Sequence, residues 1–241
     1  MDQNVIEAER IDLDTQIKKI LSLMTESDFD KLKTDLQTRF GLEYEEVESH
    51  PNNIKTIIKG NQIIFTKGVS PASRTFMVLH SLGHYYFICE AKRKQIERYS
   101  YIYDLRGVQA ALHYYETEGQ PNGLEQPPEM TEQRRKDRVS FEIGANNFAM
   151  HMLSKIGFEH GIEIIKKYAV GDINYILDVS RGGKKAIVRT DLDYLKNYVC
   201  ANLSIDPNDI YDDGVYDADK FKLDSIDWQY IKDIKLEIHF F

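Results

Sequence analysis

Two histidines, His80 and His84, lie four residues apart at the centre of SPASRTFMVLHSLGHYYFIC (70–89). Residues at that spacing share one face of a helix, so both imidazoles point the same way. They supply two ligands to a tetrahedral Zn²⁺ ion, which needs at least one more from elsewhere in the chain. Glu142 is the strongest source. Three, four and seven residues beyond it come Ala145, Asn146 and Ala149, all short, so its helix can approach closely. Closeness is a requirement, because a carboxylate bonds zinc at only about 2.0–2.2 Å. Asn146, one turn along, can orient a ligand or bind substrate backbone. A competing, purely structural reading pairs Glu142 with Arg138 one turn earlier. His113, with Glu116 three residues on, is the reserve source of a third ligand, whereas His151 lies about half a turn off the face of Glu142. Tyr85 and Tyr86 follow the histidine pair directly; one of them could donate to a developing oxyanion, with core packing the expected role of Tyr86.

The element that must carry the histidines is a buried helix. Ser70 before Pro71 reads as an N-cap followed by proline at the first helical position, where a missing N–H costs nothing. Phe76, Met77, Leu79, Leu82, Tyr86 and Phe87 leave almost no polar face. Gly83, three residues after His80, costs roughly 1 kcal/mol against alanine in a helix unless close packing compensates. It marks the place where another backbone comes near. Directly before this helix, IKTII (54–58) and QIIFT (62–66) flank Lys59-Gly60-Asn61, a strong hairpin signal.

Outside this core, residues 3–24 and 27–40 read as two helices, the second opened by Ser27 with Asp30 and stopped at Gly41. Residues 91–138 read as an insertion, with an aromatic helical piece near 99–115 and the turn-rich loop EGQPNGLEQPPEM (118–130). Helix returns over 132–153. The remainder, an amphipathic segment (162–176), a short strand (186–188), a helix (191–203) and an acidic tail ending in the alternating strand IKLEIHF (234–240), forms a C-terminal α/β extension. The expected organisation is therefore N-terminal helices over 1–45, a core over 46–155 and an extension over 156–241.

A formal net charge of −8 and a pI near 5.4 argue against direct nucleic-acid binding driven by phosphate attraction. The histidines interrupt the longest apolar run, so no membrane span is expected. The acidic start, MDQNVIEAERIDLD, lacks the layout of a secretory signal. Two cysteines, Cys89 and Cys200, read as buried thiols in a reducing compartment, so the cytoplasm is the expected location.

Segments RTFMVLHSLGHYYF (74–87) and EIGANNFAMHML (142–153) together resemble the two signature segments of the ImmA/IrrE family of zincin-like metallopeptidases. That family pairs a HExxH helix with a downstream E-x-x-A-N-x-F-A helix. The resemblance covers roughly residues 27–155 and includes the hairpin and Arg74-Thr75-Phe76. It implies an α+β, zincin-like fold with a small antiparallel sheet packed on helices, zinc as cofactor, and His80, His84 and Glu142 as its ligands. It also implies a protein or peptide substrate, such as a helix-turn-helix repressor.

The departure is Ser81, in the position of the HExxH glutamate that serves as general base. A hydroxyl does not accept a proton readily near neutral pH, and a positioned base contributes about 10²–10⁴-fold. Cleavage is therefore expected to be absent or very slow, while metal binding survives. A natural pseudopeptidase, an introduced inactivating substitution, or another base such as Glu90 or Glu116 would each account for it. Two further departures, the 57 residues between His84 and Glu142 and Lys155 in place of the family's usual proline, concern the shape of the substrate groove. A binding module that keeps the fold to hold a protein partner is the rival reading.

Overall fold

The computed structural model describes residues 24–50, 54–95, 131–155, 158, 161–162, 166, 169, 173, 221 and 225–240. Its first helix, α1 (Glu26–Phe40), starts at Thr25, whose hydroxyl accepts from Asp28 N–H while the Asp28 carboxylate accepts from Thr25 N–H at 2.9 Å. The capping box thus lies two residues before the expected Ser27–Asp30 pair. Both pairs have the required spacing. Starting at Thr25 buries Phe29, Leu32 and Leu36 on one stripe. Gly41 ends the helix with φ 61°, in the left-handed region that favours glycine.

Three strands follow: β1 (Glu43–Val47), β2 (Thr56–Lys59) and β3 (Gln62–Thr66). The expected hairpin is β2–β3, with Lys59 opposite Gln62 across a two-residue turn. Gly60 there takes φ 56°, a conformation that a tight hairpin turn needs and that other residues resist. Strand β1 departs from the sequence reading. Its EYEEV composition gives no strand signal, yet it pairs parallel to β3 from Glu43↔Gln62 to Val47↔Thr66. Charged residues suit an edge, where they discourage pairing with another chain. The fourth strand, β4 (Glu237–Phe240), pairs antiparallel with β2. The sheet is consequently mixed, in the order β1-β3-β2-β4, rather than wholly antiparallel. Its last strand comes from the segment that the sequence assigned to a C-terminal extension.

The next helix, α2 (Pro71–Lys94), is capped as expected, with Ser73 N–H donating to Ser70 Oγ at 3.2 Å. Arg74, in its first turn, spans to α1: its guanidinium lies 4.4 Å over the Phe29 ring and pairs with Glu26. Helix α3 (Glu132–Lys155) packs along α2, and both reach into the stretch set aside as an insertion. A short helix, α4 (Trp228–Asp233), is capped by Asp227 and sets Trp228 between Phe40 and Tyr85. The aromatic piece, the loop at 118–130, the first N-terminal helix, the segments at 186–203, His113, Glu116, His160 and Cys200 lie outside the described residues. No helix among the described residues is long and apolar enough to cross a membrane.

The α2–α3 contact is closest at Gly83. A Cβ there would sit 2.7 Å from both the Cα and the carbonyl oxygen of Ala145, so backbone meets backbone with no flexible side chain to yield. Gly83→Ala should therefore destabilise the fold by about 1–3 kcal/mol through overpacking, despite alanine's better helix propensity. A lowered urea midpoint with unchanged m checks this; a midpoint equal to that of the parent protein would refute the close approach.

Candidate metal centre

That close approach brings the third expected side chain to the first two. Glu142 Oε2 lies 3.1 Å from His80 Nε2 and 3.2 Å from His84 Nε2. All three residues are buried, each no more than 3% exposed. Among the described residues they form the one histidine–acid group able to hold a metal ion. Ligand bonds of about 2.0–2.1 Å set tetrahedral edges on the order of 3.3 Å, close to the two carboxylate–imidazole distances.

The hydrogen bonds around the triad support the same use. Asn146 Oδ1 lies 2.7 Å from His80 Nδ1, so that nitrogen carries the proton and donates it. The lone pair of a neutral His80 then sits on Nε2, facing a carboxylate oxygen. Two electron-rich atoms at that distance require a cation between them: a proton on the ring, or a metal ion shared by all three groups. Arg138 Nη2 holds the other carboxylate oxygen, Oε1, at 2.8 Å. The ion pair that competed with the ligand reading is therefore present together with it, on the opposite oxygen. Burial alone would raise the Glu142 carboxyl, but Arg138 and the two imidazoles outweigh it and hold it well below the usual carboxylate range. Burial pushes His84 down to about 4, which keeps the ring neutral, as a ligand must be. Among the described residues His84 Nδ1, which is buried, has no hydrogen-bond partner.

Rings complete the surround. Phe141 stacks on His84 at 4.5 Å, Phe76 lies 5.1 Å from His80, and Phe240 of β4 lies 6.0 Å from His80. Sequence reasoning missed Phe141 and Phe240 as neighbours of the centre. An apolar residue beside a ligand carries no distinctive signal, and strand partners are set by tertiary pairing.

Ser81 is fully buried and its hydroxyl donates to the Met77 carbonyl at 2.8 Å. Tyr85, proposed from sequence as an oxyanion donor, is directed elsewhere. Its ring meets Trp228 edge-on at 5.9 Å and its hydroxyl lies toward Gly60, with burial raising its pKa. One residue past His84 is about 100° around the helix, which accounts for the different direction. Tyr86 packs against Phe148 and Phe221, as a core residue does. Glu90 pairs with Lys94 at 3.0 Å, about 9 Å along the helix from His84. His151 is buried beside Phe221. No protein family, curated protein or solved structure matches this chain.

Two measurements test this arrangement. Asn146→Ala removes the acceptor that fixes the His80 ring and should weaken metal binding roughly 10–100-fold, read by competition against a chelator. An unchanged affinity would show that Asn146 does not orient the ring. Without metal, His84 and Glu142 both bind protons more weakly in the folded chain than in the unfolded one. Their contribution to stability is therefore present near neutral pH and declines as the pH falls from about 6.5 through 4. Urea midpoints of the metal-free protein should fall across that window, and a midpoint that rose on acidification would contradict the assignment.

Proposed function

We propose that this protein is a zinc-binding, ImmA/IrrE-like metallopeptidase relative in which cleavage is disabled because Ser81 stands where the general base belongs. The observation that carries the reading is the convergence of His80 Nε2, His84 Nε2 and Glu142 Oε2 from two helices at one buried point. Two imidazoles and one carboxylate are a donor set that zinc accepts in hydrolytic centres. When bound, zinc would act as a Lewis acid toward a peptide carbonyl.

The chain's own residues define the rest. Asn146 holds the His80 ring in one tautomer, and Arg138 keeps Glu142 ionised while occupying its second oxygen. Ser81 has its hydroxyl engaged with a backbone carbonyl, so it neither takes a proton from an attacking water nor returns one to the leaving amine. Loss of that function slows hydrolysis by about 10²–10⁴-fold. On the resemblance, active relatives are site-specific peptidases of repressor-type regulators. A protein or peptide partner follows, with a helix-turn-helix repressor the first to try. The free, buried Cys89 is consistent with a reducing, cytoplasmic setting.

A second reading, a non-catalytic protein-binding regulatory module, is favoured by one observation. Arg138 already neutralises Glu142, so the buried carboxylate is balanced without metal.

Elemental analysis of the purified protein should give one equivalent of zinc, lost in His80→Ala. Ser81→Glu should raise cleavage of a candidate repressor by on the order of 10²-fold or more. One equivalent of zinc with no gain in Ser81→Glu rejects the lost-base reading. Partner capture that survives His80→Ala, from a protein without zinc, favours the binding module.

A further inference from the structure

With a divalent ion bound, the same centre would carry an unmatched positive charge. Glu142 and Arg138 cancel each other, two imidazole ligands are neutral, and Ser81 contributes nothing. A divalent ion would therefore add two charges among groups that are all buried. Arg138 also has donors to spare. Nη2 holds Glu142, but Nε and Nη1 are buried and have no hydrogen-bond partner among the described residues. Buried N–H groups without acceptors are rare and costly, and a guanidinium is the side chain best shaped for a carboxylate. Asp137, the buried acid next in sequence, is turned about 100° around α3 and accepts from Gln133 at 3.0 Å.

We infer that the metal-loaded centre binds a carboxylate-bearing ligand, with Arg138 as the group that holds it beside the metal. This rests on the metal reading above. It also gives Ser81 a second meaning. The glutamate of HExxH would place a negative charge one residue from the first ligand, and serine leaves that charge to be supplied by the ligand. The centre is then suited to capture an acidic group, whether a chain terminus or an acidic side chain.

The test uses full-length protein loaded with one equivalent of Zn²⁺ and titrated calorimetrically with acetate. Acetate should bind the parent protein. Arg138→Lys keeps a cation beside Glu142 but lacks the spare donors, so it should retain one equivalent of zinc and bind acetate roughly tenfold or more weakly. Ser81→Glu should weaken acetate in the same direction. Two N-acetylated peptides, Ala-Ala-Ala with a free terminus and Ala-Glu-Ala as the amide, separate the sources; binding of either supports the inference and binding of neither overturns it. Zinc-loaded Arg138→Lys that binds acetate like the parent removes this inference and leaves the metal reading standing. Failure of the parent to load zinc removes both.

Discussion

Everything at the centre depends on how near α2 and α3 come to one another at Gly83. A glutamate side chain is short, and helices with ordinary side chains between them run 8–10 Å apart. Removing the Cβ at Gly83 and facing it with Ala145 lets the two backbones touch, so Glu142 reaches both imidazoles without leaving its helix. Gly144 serves a related purpose one residue earlier, where the Phe87 ring lies against its Cα. The sequence concentrates its small residues at this crossing and its large aromatics around it.

The electrostatic cost of that arrangement is met by division of labour. A carboxylate this deeply buried needs a partner for each oxygen. One goes to Arg138, on the same helix one turn back, and the other to the histidines of the facing helix. Each partner is thereby fixed by a rigid element rather than a loop, which holds the donor atoms in place before any ligand arrives. Asn146 extends the same logic outward by selecting which nitrogen of His80 faces inward.

That Glu142 and Asn146 join the histidines is implied by the family resemblance, spacing alone leaving His113 open beside Glu142. Helix α2, its Ser70–Pro71 start, the Gly60 hairpin and the shared face of His80 and His84 could be read from residue type and spacing. These features depend on local chemistry and helical periodicity. Strand β1 could not, because its pairing is decided by β3 and by Tyr44 stacking on Phe65, and acidic residues hide it. Nor could the direction of Tyr85, since a helix buried on every side has no polar face to fix which side each residue meets. The capping register of α1 was ambiguous for a different reason: two boxes compete, and core burial chooses between them.

Strand β4 has a consequence for how the molecule comes together. The β2–β3 hairpin and α2 are neighbours in sequence and can form early, whereas Thr56 meets Phe240 across a separation of 184 residues (240 − 56). Closing so long a loop costs entropy before any contact repays it, which makes this edge a late event in folding. Until then β2 presents an open row of backbone donors and acceptors, the kind of surface through which partly made chains associate. The strand that places Phe240 beside His80 is thus also what seals the nascent sheet against its neighbours.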